Sequence, residues 1–88
     1  MAIRDGIKHD DALMVVAEEA AHLGDVGIAE KAVQEIRDGI KHDDAASKSA
    51  VALATLGNTE AARTIAELIR DGIKRDNTLS KIASAPRQ

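Results

Sequence analysis

The ten residues Ile3-Arg4-Asp5-Gly6-Ile7-Lys8-His9-Asp10-Asp11-Ala12 recur unchanged from Ile36 to Ala45, and return in altered form from Ile69 to Thr78. Both intervals are 33 residues (36 − 3 and 69 − 36). A fixed period of this size implies one supersecondary unit per period, stacked on its neighbours, because so short a unit cannot bury its apolar face alone. The period thus restricts the chain to a repeat array before any local propensity is considered.

An array of 88 residues is one domain at most. The chain has no aromatic residue, so its core must be Ile, Leu, Val and Ala, with Met14 as an adaptable filler. Each alanine buries little area. At about 25 cal/mol per Å² the hydrophobic contribution is modest, and the fold is expected to be marginal alone or to gain stability by association. The absence of cysteine excludes disulfides, thiolate zinc sites and cysteine nucleophiles. The net charge is −3 with acids and bases interspersed, which offers no electrostatic attraction to nucleic acid or to an anionic membrane. No apolar run approaches the ~20 residues of a membrane span. The start, Met1-Ala2-Ile3-Arg4-Asp5, has no basic-then-apolar leader. A soluble, cytoplasmic protein is expected.

Each unit reads as two helices. Asp10 or Asp11 is the expected N-cap of the first, where a carboxylate meets orphan N–H groups and the positive end of the dipole. Leu13, Val16, Ala17, Ala20 and Leu23 follow at helical spacing. Gly24 suits a left-handed C′ position, and Asp25 caps the next helix. That helix shows Ala29, Ala32, Val33, Ile36 and Ile40 on one stripe. It could stop at Asp38 with Gly39 as C′, or continue to about Lys41. The stripe crosses Gly39, which favours the longer helix, and recurrence of glycine at positions 6, 39 and 72 suggests close backbone approach there. In the second unit Asp44 caps, and Ala46, Ala50, Leu53 and Leu56 line the first helix. Gly57-Asn58 turns the chain, and Ala62, Ile65, Ala66, Ile69 and Ile73 line the next helix. Ser49 falls where the first unit has Val16, a weak spot in the core. Asn77 caps a last segment with Leu79, Ile82 and Ala83 before Pro86. The expected helices are 10–23, 25–41, 43–56, 58–74 and a short one at 77–84. The fold class is all-α: a short right-handed solenoid of antiparallel helical hairpins. As one domain, residues 1–88, it divides into a partial unit at 1–9, repeats at 10–42 and 43–75, a partial unit at 76–85 and a tail at 86–88.

This spacing resembles the tetratricopeptide repeat, a helix-turn-helix unit of about 34 residues. Leu13 falls on that family's first large position, Val16 and Ala17 on its Leu-Gly pair, and Ala20 on its mid-helix aromatic. Ala29, Val33 and Ile36 fall on its second-helix alanine, aromatic and small positions. Ala46, Ser49, Ala50, Leu53, Ala62, Ala66 and Ile69 fill the same places one unit later. The aromatics are missing, Ile36 and Ile69 are large, and Lys41 and Lys74 stand where the family has proline. The chain is also similar to HEAT-like repeats, through Leu23-Gly24-Asp25, an alanine-rich helix and a Lys-x-Asp loop. It lacks their Val-Arg pair. Both resemblances imply a helical solenoid that binds proteins.

Chemistry-bearing residues are few. His9 and His42, each followed by two aspartates, are expected in equivalent loops about one repeat, roughly 10 Å, apart. That is too far to share an ion, and zinc wants three or four ligands. The expectation is no metal and no cofactor, with the aspartates capping helices. His22 is expected on the surface near a helix end. The pairs Arg4-Asp5, Arg37-Asp38 and Arg70-Asp71 are expected to form charge ladders worth ~0–1 kcal/mol each. No nucleophile, base and orienter converge, so no enzyme activity is expected. The expected function is protein interaction or scaffolding, the alternative a purely structural self-associating fragment or a designed chain with no native ligand. The tetratricopeptide resemblance implies a peptide groove along the first helices, carried here by Asp11, Met14, Glu18, Ala21, His22, Asp44, Ser47, Val51, Ala54 and Thr55. That family's basic clamp for a peptide's terminal carboxylate is absent. Ile3, Ile7, Leu79 and Ile82 are the candidates for self-association into a homodimer, since no polar capping helix follows them.

Overall fold

The structure, a computed structural model, describes residues 2–84, with side chains from His9 onward. It is all-α: α1 Ala2–His22, α2 Val26–Glu35, α3 Gly39–Thr55, α4 Thr59–Ala66 and α5 Gly72–Ser84, with no strand among the described residues. α3 touches all four other helices, and α1 and α5 lie against it. The Cα envelope measures 45 × 27 × 14 Å, a slab about two helices thick.

The turns after α1 and α3 are built alike. Gly24 has φ 80° and Gly57 has φ 91°. In the first, Asp25 N–H donates to Ala20 O at 2.8 Å and Gly24 N–H to Ala21 O at 3.0 Å. In the second, Asn58 N–H donates to Leu53 O at 3.0 Å and Gly57 N–H to Ala54 O at 2.9 Å. These are Schellman closures, which satisfy carbonyls the helix end leaves over and need a residue tolerant of positive φ. Asp25 and Asn58 then cap the following helices, accepting from Ile28 N–H at 3.1 Å and Ala61 N–H at 3.2 Å. Both glycine turns and the Asp25 cap match the sequence reading, and Asn58 adds a cap to the turn expected there.

The connections after α2 and α4 do not match it. Each helix expected to run through glycine to lysine is split. α2 stops at Glu35, Ile36 is extended at φ −74°, ψ 127°, and Asp38 N-caps α3 by accepting from Lys41 N–H at 2.9 Å. Asp71 accepts from Lys74 N–H at 3.0 Å in the same way. Asp10, Asp11, Asp44 and Asn77 lie inside helices, so they are not N-caps, and His9 and His42 lie in helices too. The partial unit at 1–9 is not a separate second helix, because α1 is continuous from Ala2. Gly39 and Gly72 have no neighbour within 4 Å of a Cβ position, which removes close backbone approach as their explanation.

Splitting the helices also redistributes the apolar stripe. Ala17, Ala20, Ala29, Ala32, Val33, Ile36, Ala46, Ala50, Leu53, Ala62, Ile65, Ala66, Ile69 and Ile82 are buried as expected. Ile40 and Ile73 are each 77 % exposed, because they sit in the first turn of a new helix and not at the end of an old one. Leu23 and Leu56 are also exposed, standing at the turns, and Ala83 and Val16 are exposed as well.

The turns and the core each yield a stability prediction. Gly24→Val and Gly57→Val should each cost about 1–2 kcal/mol, since a β-branched residue is strained at positive φ; urea midpoints measure this. Ser49 is fully buried and its Oγ has no partner among the protein atoms. Ser49→Ala should therefore raise stability by about 1 kcal/mol, because an unpaired buried hydroxyl costs more than a small gap. An unchanged or lower urea midpoint for that variant would show that the hydroxyl is satisfied.

Candidate functional site

Two carboxylates join the units. Asp10 in α1 accepts Arg37 N–H at Oδ1 (3.2 Å) and Asp38 N–H at Oδ2 (3.1 Å). Thirty-three residues later, Asp43 in α3 accepts Arg70 N–H at Oδ1 (3.1 Å) and Asp71 N–H at Oδ2 (3.2 Å). The second aspartate of each pair takes a lysine: Lys41 Nζ lies 2.8 Å from Asp11, and Lys74 Nζ 2.6 Å from Asp44. The ladder thus runs through Asp-Asp to backbone and lysine. Among the described residues, Arg37 and Arg70 contribute their N–H groups to it and make no ion pair.

Burial opposes ionisation of Asp43, but the His42 side chain and the Arg70 and Asp71 N–H groups outweigh it and hold the carboxyl below its ordinary 3.8. Asp10 is lowered likewise: burial opposes, while the Arg37 and Asp38 N–H groups, then His9 and Lys41, prevail. Lys41 and Lys74 are raised, first by their hydrogen bonds to Asp11 and Asp44. His42 is buried with Nδ1 2.9 Å from Asp43 Oδ1, whereas its sequence equivalent His9 is exposed. No cluster of three or more His, Cys, Asp or Glu able to hold a metal occurs among the described residues. These groups are bound up in joining units, and their geometry is that of a structural linkage.

A groove of about 350 Å³ crosses α1, α3 and α5. Val51, Ala52 and Leu56 supply apolar surface, Glu18 and His22 stand at the α1 side, and Lys48 and Lys81 come from α3 and α5. Ser47 and Thr55 add hydroxyls; Ser47 Oγ lies 2.8 Å from Thr78 Oγ1, and Thr55 donates to Val51 O at 2.9 Å. Glu18 and His22 approach only to 3.9 Å.

Of the groove residues expected from sequence, Glu18, His22, Ser47, Val51 and Thr55 do come together. The others do not line it. Ala21 and Ala54 are core, Met14 is half-buried against the core, and Asp11 and Asp44 are held by the lysines. Lys48, Ala52, Leu56 and Lys81 were missed. The signal for the lysines was available: 81 − 48 is 33, so they occupy one position of the repeat. Among the self-association candidates, Ile82 is buried and Leu79 half-buried against the core, because α5 packs on α3 and α4. Both nevertheless line an open depression between α4 and α5. The side chains of Ile3 and Ile7 lie outside the described residues. Other depressions among the described residues include one of about 300 Å³ with Leu13, Val16 and Ile28, and one of about 410 Å³ between α4 and α5.

No helix among the described residues is long and apolar enough to cross a membrane. No family model matches the chain, and neither a curated relative nor a solved structure matches it.

Asp43→Asn should destabilise by about 2 kcal/mol at neutral pH, since an amide cannot accept both N–H groups. A depressed carboxylate contributes stability that is present above its unfolded value and lost as pH falls through the folded one. The gap between the parent chain and Asp43→Asn should therefore be full above 3.8 and close below it. Urea titrations down to about pH 2 test this; a constant gap would mean that the charge on Asp43 is not what holds the connection.

Proposed function

We propose that the chain is a non-catalytic protein-interaction module of the helical-repeat type, a short right-handed solenoid of 33-residue units that binds a segment of another protein. The observation that carries this is the groove, which crosses three packed helices and combines an apolar floor with two lysines, Lys48 and Lys81, that make no ion pair among the described residues. Recessed apolar surface with few convergent polar groups is the usual form of a binding site. The solenoid reading is supported by the two equivalent carboxylate–backbone links and the two equivalent Schellman turns. The resemblance to tetratricopeptide or HEAT-like repeats belongs to the same proposal, as does a cytoplasmic location.

A second reading is favoured by one observation. Leu13, Val16 and Ile28 share a depression on α1 and α2, with Val16 43 % and Ile28 51 % exposed. In the following unit the corresponding residues are the small Ala46, Ser49 and Ala61, the first two of them fully buried and Ala61 half-buried against the core. The large exposed face would pair two copies of the chain, and function would then be structural.

The two readings separate in solution. Under the first, a panel of peptides should include one that shifts the NMR methyl signals of Val51 and Leu56, and Val51→Asp should abolish that binding while leaving helicity intact. Under the second, sedimentation at tens of micromolar should show a dimer that Val16→Glu with Ile28→Glu disperses. A monomer whose groove signals no peptide moves would remove both.

A further inference from the structure

We propose that the groove takes an acidic, internal peptide segment, with side-chain carboxylates directed to Lys48 and Lys81 and an apolar side chain over Val51 and Leu56. This rests on the groove reading above and adds the chemistry and direction of the ligand. Lys48 and Lys81 occupy one position of the repeat on neighbouring helices, and both are exposed. Lys41 and Lys74, which share with Lys8 the other repeated lysine position, are already held by Asp11 and Asp44. Among the described residues Lys48 and Lys81 make no ion pair, so their charge faces the groove's solvent uncompensated.

The opposite end carries Glu18, with His22 beside it. A carboxylate is attracted to the lysine end and repelled from the α1 end, so the groove orients its ligand. The net charge of −3 does not defeat this. At physiological salt the screening length is about 8 Å, so the nearest charges decide. The apolar floor offers an aliphatic side chain Leu56, 52 % exposed, and the partly covered Val51. Nucleic acid is disfavoured, since two lysines neutralise few phosphates and no aromatic residue can stack on a base.

The test uses the full chain and three fluorescein-labelled, C-terminally amidated peptides with a central leucine flanked by Glu, by Gln or by Lys. Amidation removes the terminal carboxylate, so side chains alone are read. The Glu peptide should bind most tightly and shift the Val51 and Leu56 methyl signals. Lys48→Glu with Lys81→Glu should weaken it roughly tenfold and strengthen the Lys peptide, as expected for two exposed ion pairs. Both lysines are exposed, so helicity should persist; Lys48→Gln with Lys81→Gln should give an intermediate loss. Equal or tighter binding of the Gln or Lys peptide in the same groove overturns the acidic assignment and leaves the groove reading standing. Binding of the Glu peptide that ignores the charge reversal overturns it too. Groove signals that move on dilution with a monomer–dimer change, or on adding a single-stranded oligonucleotide and no peptide, assign another occupant and overturn it. Failure of every peptide to move Val51 or Leu56 overturns the inference and the groove reading together.

Discussion

The connection between units depends on a carboxylate that reaches across to backbone. Asp10 takes the N–H groups of Arg37 and Asp38, and Asp43 those of Arg70 and Asp71. Two adjacent N–H groups aimed at one carboxylate need a chain that has left the helix, since an interior helical N–H already has its partner four residues back. The link therefore fixes the non-helical chain ahead of α3 and α5 and positions the start of both helices. With the connection fixed, Asp38 and Asp71 stand ready to cap α3 and α5. One aspartate fixes the link, another starts the helix, and a third holds the lysine one turn further on.

This explains why one decapeptide has two conformations. Ile3 to Ala12 is helical throughout, whereas in the identical Ile36 to Ala45 the first three residues form the connection. Local propensity is the same in both, so the difference is tertiary. Asp10 acts on the second copy, from 27 and 28 residues earlier in the chain. The copies differ in burial as well. His9 is exposed and His42 buried against Asp43. α3 packs against α1 on one side and α5 on the other, so an identical residue on α3 meets a neighbour that its copy on α1 lacks.

The same distinction separates what was legible in the sequence from what was not. Gly24-Asp25 and Gly57-Asn58 were legible because their turn is closed by residues within five positions of one another. The break at residues 36–38 was not, because its cause lies 27 and 28 residues earlier. Helical spacing pointed the wrong way there: Val33, Ile36 and Ile40 continue a stripe on paper, yet Ile36 is buried as extended chain and Ile40 faces solvent. The local clue was Asp38 three residues before Lys41, an N-cap pattern outweighed by the apolar one. On the groove, Glu18, His22, Ser47, Val51 and Thr55 were legible from first-helix placement. Lys48 and Lys81 required asking which positions the repeat preserves outside its recurrent decapeptide.

A core made largely of alanine shapes that groove. Ala45, Ala46, Ala50, Ala52 and Ala54 on α3 are all buried, so helix axes can approach closely and the interior needs no large side chain. Close approach leaves shallow relief, and the floor of the groove is the small Ala52 between Val51 and Leu56. So little recessed apolar area cannot by itself hold a ligand tightly. Under the proposed peptide-binding reading, selectivity would come from the rim, where charge is placed asymmetrically: an acid and a histidine on α1, lysines on α3 and α5. In this fold the aliphatic residues and the Asp-Asp ladder hold the helices in place, and Lys48 and Lys81 stand outside that ladder at the groove's rim.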